Sequence, residues 1–301
     1  MSRRDPVAVV AVALLLLVVL GALLADVAAV VLGVSGDAVD PARRFADAGG
    51  AHLLGTDALG RDLFVRLLLG ARTSVAVAVA AAAVATVLGV VVGVVAARAG
   101  GVVDAALMRL VDALVALPAL PLVLLFAAVD VGQAPSASWA LTRVVVLLSV
   151  LSWMTTARLV RAQVRQVLAL DHVAAARALG ATERRIVVVH VLPLCAPTVL
   201  VQATLEAAEN LVAEGALSFL GLGVPPPLAS WGNMLTGALD VVAVDPPTAL
   251  APAALLFFTA ATLQLAGDAL RERWVGTAVG GAPAGVARPR RGSSETSAEC
   301  P

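Results

Sequence analysis

Long stretches without a single charged side chain decide what this chain can fold into. Thr73–Ala97 runs for 25 residues, Thr248–Gly267 for 20 and Val7–Ala25 for 19, and none contains Asp, Glu, Lys or Arg. A helix rises about 1.5 Å per residue, so about 20 apolar residues cross a hydrocarbon layer of about 30 Å while bonding every backbone group internally. With 60% of residues hydrophobic and 14% charged, the chain is too apolar for a soluble domain of 301 residues. The expected fold class is all-α: a polytopic integral membrane protein of about six transmembrane helices.

The first run follows Arg3 and Arg4 and exceeds the apolar core of a cleaved secretory signal, so a retained helix is expected. The second contains Gly89 and Gly93, a small-residue spacing that permits close helix approach but also arises by chance in a Gly-rich chain. A third span, Ala113–Val129, carries Pro118 and Pro121 and should be kinked or broken. The fourth covers about Trp139–Ala157, with Arg143 snorkelling at its outer end. The fifth, Leu194–Gly221, is interrupted by acids, and Thr248–Gly267 is the sixth. The expected division is a first segment at 1–34 and an extracytoplasmic loop with a short interfacial helix at 35–72. A permease body at 73–275 contains a polar loop at 160–193, and a tail without apolar period fills 276–301.

Arginine placement orients the spans. With the N-terminus inside, fifteen arginines fall on cytoplasmic segments and six outside, which selects an N-in, C-in topology. All 21 basic residues are Arg, and they balance 21 acids, so no basic excess exists to bind nucleic acid. Cys195 and Cys300 are placed too differently, one at a membrane edge and one in the tail, to pair. His52, His172 and His190 are dispersed, so neither a metal site nor a catalytic constellation is expected, and no cofactor is called for.

The segment Asp171-His-Val-Ala-Ala-Ala-Arg-Ala-Leu-Gly180, continuing to His190-Val-Leu-Pro193, is a polar helix-turn-helix between two spans. Asp171 is expected as an N-cap, Gly180 as the left-handed stop, Thr182 as a second cap and Pro193 at the entry to the next span. The charge count puts this segment inside, where it has no lipid to bury itself in. It resembles the "EAA" loop by which ABC importer permeases engage their ATPase. Three more blocks extend the resemblance: His52 to Ser74, Trp153 to Val164, and Leu217-Ser-Phe-Leu-Gly-Leu-Gly-Val-Pro-Pro-Pro-Leu-Ala-Ser-Trp-Gly-Asn-Met-Leu235. Together they are similar to the second, C-type permease of the dipeptide, oligopeptide and nickel branch of ABC importers, over about Arg3 to Trp274.

That resemblance implies a bacterial cell membrane, a heterodimer with a sister permease, cytoplasmic ATPase subunits and an extracytoplasmic solute-binding protein. It implies an ATPase-coupling role for Asp171, Ala174, Ala175, Ala176, Gly180, Leu192 and Pro193. Where the family's loop begins Glu-Ala-Ala, this chain has Ala174-Ala175-Ala176. With Asp171 as N-cap, Ala174 stands at the position where Glu would complete a capping box, so a weaker helix start is expected. The chain has no Lys and therefore no Gly-x4-Gly-Lys-Ser/Thr loop, which assigns ATP hydrolysis to partner subunits and makes this chain a transport subunit, not an enzyme. Peptides are the expected solutes; nickel or another small solute is the alternative.

Span five carries the sharpest chemistry. At 100° per residue, Thr198, Gln202, Glu206, Glu209, Asn210 and Glu214 share one side of a helix. Carboxylates in lipid cost about a few kcal/mol each, so this side should meet water or protein. One reading makes Gln202, Glu206, Glu209, Asn210 and Glu214 the lining of a translocation path; the other packs them on the sister permease. A stand-alone secondary transporter, using the acids as a proton or cation relay, is the competing class.

Overall fold

A computed structural model describes residues 5–118, 121 and 136–280, and it contains helices and no strand among those residues. In chain order the first helices are α1 (Asp5–Leu23), α2 (Ala25–Leu32), α3 (Leu63–Ala99) and α4 (Gly101–Ala116). They are followed by α5 (Ala137–Leu168), α6 (Asp171–Ala178), α7 (Glu183–Arg185) and a π-helical turn at Ile186–Val191. The last are α8 (Leu192–Phe219), α9 (Trp231–Met234), α10 (Ala238–Val241) and α11 (Pro246–Gly280).

Four helical stretches are long and apolar enough to cross a bilayer: α3, α5, the continuous helix from Glu183 to Phe219, and α11. Helices α1 and α2, bent by 58° at their junction, make a fifth when taken as one broken span. The expected third span, Ala113–Val129, lies mostly outside the described residues. Its described part matches the expected break, because α4 ends at Ala116 and Leu117 turns extended just ahead of Pro118.

Helices α3 and α11 outrun the apolar runs that announced them. The interfacial helix expected before residue 73 is not separate; it is the first part of α3. Asp62 caps that helix by accepting a hydrogen bond from the Val65 amide at 2.8 Å, and nothing downstream breaks it. Arg66 is buried and donates to the Gly36 carbonyl at 3.0 Å and to Asp37 at 3.3 Å. The loop before α3 therefore wraps that end of the helix. Gly60 permits the wrap, with a φ of +72° and no room for a Cβ against the Asp40 carbonyl. Arg72 ties α3 to α2 through both oxygens of Asp26, at 2.7 and 3.2 Å. At the other end of the chain, α11 continues past Gly276 to Gly280, beyond the expected start of the tail; 281–301 lies outside the described residues.

Lipid is as apolar as leucine, so packing rather than water exclusion must hold the bundle. Here Gly89 and Gly93 carry the α3–α5 contact. A Cβ on Gly89 would stand 2.6 Å from Cβ of Thr156, and one on Gly93 would stand 2.7 Å from the Ala157 carbonyl. Of the two sequence readings for that glycine pair, close approach is the one the structure shows. A second knot forms where the block around Trp231 folds back. The indole is fully buried, its Nε1 donates to the Leu67 carbonyl at 3.0 Å, and its backbone amide donates to Ser74 Oγ at 3.1 Å. Gly70 is the floor under that ring, 3.0 Å from its Cδ1 were a Cβ present. Ser230 and Asn233 close a reciprocal capping box on α9 and fix the turn.

Helix α4 is fastened differently. Asp104 accepts from the guanidiniums of Arg161 and Arg165 on α5, and Asp112 accepts from Arg158 at 2.9 Å. The hydrogen bond from Arg161, with the charges of both arginines, holds the Asp104 carboxyl below the usual carboxylate range.

Candidate functional site

The segment from Asp171 to Pro193 projects from the ends of α5 and α8. After α5 the chain spends only Ala169 and Leu170 before α6 begins, with their amides bonded back to Gln166 and Val167. Leu170 takes the extended conformation and is the N-cap residue, without a side-chain bond; Asp171 is the first helical residue. The expected Asp171 cap is thus corrected by one position, because so tight a reversal starts the new helix at once. Ala174 then falls at the fourth helical position, where no side chain completes a capping box, and Asp171 contributes through its charge at the helix start.

The stop is the one the sequence announced. Gly180 has a φ of +84°, its amide bonds to the Arg177 carbonyl, and the Ala181 amide reaches the Ala176 carbonyl, both at 3.0 Å. This reciprocal pair is the Schellman closure of a helix. Thr182 caps α7 by accepting from the Arg185 amide at 3.4 Å, and Glu183 bridges Arg177 at 2.9 Å and Arg98 at 3.8 Å. From Glu183 the helix runs without a break through the π-turn into α8, so Leu192 and Pro193 lie inside one continuous helix rather than at an entry corner. The wide π-turn stands directly before Pro193, whose missing N–H would interrupt a regular ladder there.

What seats this segment on the bundle was missed from the sequence. Val173 and Ile186 are fully buried and join Val160, Val164 and Val167 of α5 with Val191 and Cys195 in one apolar cluster. The sequence offered several aliphatic residues in this stretch, and nothing local told Val173 and Ile186, which turn inward, from Leu179, Val188 and Val189, which do not. Outward, Leu179 is 89% exposed, and Val188 and Val189 are also exposed. Ala174 and Ala175 are exposed and Ala176 is half-buried. The segment therefore has an apolar root inside the chain and an apolar, Arg-flanked outer surface.

On α8 the polar residues divide between two directions. Glu206, Asn210 and Glu214 are 1%, 4% and 0% exposed, closed in by the chain's own helices. Glu206 accepts from Thr156 of α5, from Thr86 of α3 at 3.4 Å and from Gln202 at 3.4 Å, so it brackets three helices. Glu214 accepts from Ser218 Oγ at 2.6 Å, and Ser218 in turn receives the Val224 amide at 3.0 Å, which secures the turn after α8. Gln202 is half-buried and Glu209 is exposed. Gln202 borders a cavity of about 340 Å³ with Thr198, Leu159, Pro197 and Arg271. Glu209 borders a groove of about 540 Å³ between α8 and α11.

The comparisons with known proteins agree with this layout. Residues 89–275 match the family model described as "binding-protein-dependent transport system inner membrane component". An oligopeptide transport system permease protein of Bacillus subtilis is 36% identical over 221 residues, 73% of this chain and 70% of that one. A putative peptide permease protein of Brucella suis is 37% identical over 223 residues, covering 73% and 72% of the two chains. A putative peptide transport system permease protein of the same organism is 36% identical over 259 residues, covering 86% and 84%. A seated helix-turn-helix, a multi-span bundle and these matches lead to one assignment: the chain belongs to the binding-protein-dependent transport system inner membrane component family, as a multi-pass inner-membrane permease of an ABC importer.

Proposed function

We propose that this permease carries peptides and is driven through the segment 169–193. Peptides follow from its relatives, three of which are named for oligopeptide or peptide transport. The observation that carries the coupling role is the double-sided build of the segment. Its root, Val173 and Ile186, is locked to α5 and α8, while Leu179, Val188 and Val189 face outward. A push on the outer surface is then delivered to two membrane helices at once. Cytoplasmic ATPase subunits supply the push, a sister permease completes the path, and an extracytoplasmic binding protein delivers the solute.

The path itself runs along the outward side of α8 at Thr198 and Gln202, beside Arg271, where polar groups gather around open space. Glu206 supports that wall from inside, its bonds from Thr86 and Thr156 setting the spacing of α3, α5 and α8, while Asn210 and Glu214 are buried farther along the same helix. The test is uptake by the complete transporter reconstituted in proteoliposomes with its binding protein. ATP-dependent accumulation of a labelled oligopeptide is expected; accumulation of nickel ion with no peptide uptake would replace the substrate reading.

A further inference from the structure

Glu209 has no hydrogen bond and no ion pair among the described residues, and it is exposed. It stands ten residues from the end of α8 at Phe219, about 15 Å along the axis, and farther still from Leu192. That depth is within the hydrocarbon layer, where a bare carboxylate is not stable against lipid. Something polar must therefore cover it.

The shape around it names the class of cover. The groove between α8 and α11 has small-residue walls, Ala213 and Ala216 on one side and Ala260 and Ala261 on the other, with Phe257 also lining it. Gln264 is the only other polar residue lining it. The groove is fixed in advance by two glycines: Gly215 leaves room for Leu256 and Gly267 leaves room for Leu205, so α8 and α11 meet closely beneath it. Along it Glu209, Val212 and Ala216 succeed one another at steps of three and four, the spacing at which one helix receives another. A water-filled path would carry a polar lining, and on this face the polar side chains collect instead near Gln202 and Arg271. An alanine-walled groove with one carboxylate fits a close-packed helix that brings its own donor.

We propose that this groove seats a transmembrane helix of the sister permease, which places a hydrogen-bond donor (an amide, a hydroxyl or a guanidinium) opposite Glu209. The proposal rests on the reading of this chain as one of a permease pair. Glu209 then acts in pairing the subunits, and the solute path lies beside it.

The test uses the complete transporter, expressed with its sister permease and ATPases, with a photoactivatable benzophenone amino acid at Val212, Ala216 or Leu200. Adducts to the sister permease are expected from 212 and 216 and not from Leu200, which lies on the other side of α8. Sister permease recovered with this chain should fall at least about tenfold in Glu209→Leu, which offers no acceptor, and change less than about threefold in Glu209→Gln, which keeps one. Position 212 labelling only lipid, or only a labelled peptide, would overturn the proposal, as would equal recovery from all three forms. ATPase retained in the same pull-down reports the coupling segment separately, so loss of sister adducts with ATPase still bound refutes this inference alone.

Discussion

Single residues show best how strongly local geometry constrains this chain. Gly180 takes a φ of +84° with open space around it, so a side chain there meets strain and no clash. Asn tolerates that conformation and Val does not, at a difference of roughly 1–2 kcal/mol. Gly180→Asn should keep most ATP-driven uptake, whereas Gly180→Val should lose it with membrane insertion intact; normal uptake in the Val form, with ATPase still bound, would contradict the assigned role. Trp231 presents the opposite case, a large ring with both its polar and apolar needs met. Trp231→Ala should cost about 3–5 kcal/mol, read as a lowered unfolding midpoint in detergent, and an unchanged midpoint would remove the ring from the scaffold. Water access separates Gln202 from Glu206. With Cys195 and Cys300 replaced, a cysteine at 202 should react with a membrane-impermeant thiol reagent, while cysteines at 206 and 211 stay inert. Equal labelling at all three would contradict the closed interior that Glu206 braces.

Among the elements, α4 is the one held by charge. Asp104 has its carboxyl depressed by Arg161 and Arg165, so the pairing strengthens the fold at every pH above the ordinary carboxylate value of about 4 and is lost as pH falls below it. Hydrogen exchange along α4, corrected for intrinsic rate, should stay flat from pH 8 to 5 and rise below about pH 4. Asp104→Asn should show the raised exchange at every pH, and equal protection in that variant would mean that α4 is held by something else.

Elements were also where sequence reading succeeded and failed for visible reasons. Charge-free runs located α1, α3 and α11, and apolar runs with few charges located α5 and α8, because a membrane span needs little beyond length and polarity. Helix ends were harder. The wrap of the loop over Arg66 depends on Gly36 and Asp37, 30 and 29 positions away, so the start of α3 read as a separate helix. The Schellman stop at Gly180 was legible because all its partners are local. The start at Leu170 was not, since it is set by how soon α5 ends. On α8, helical periodicity put Glu206, Glu209 and Asn210 on one side. It carried no sign that Thr86 and Thr156, from two other helices, enclose Glu206 and leave Glu209 facing outward.

For the whole molecule, we propose that a short polar segment, rooted by Val173 and Ile186 in two helices, turns work done by an ATPase into movement of the bundle. The family assignment sets aside the stand-alone secondary transporter and leaves the contact itself as the point to test. Leu179, at 89% exposed, is the most exposed large apolar side chain of that segment. A photoactivatable residue at 179 in the complete, uptake-competent transporter addresses the contact directly. An adduct between this chain and its ATPase subunit is expected, with a yield that changes when ATP is bound and hydrolysed. A transporter that accumulates peptide normally while position 179 never forms an ATPase adduct would contradict it.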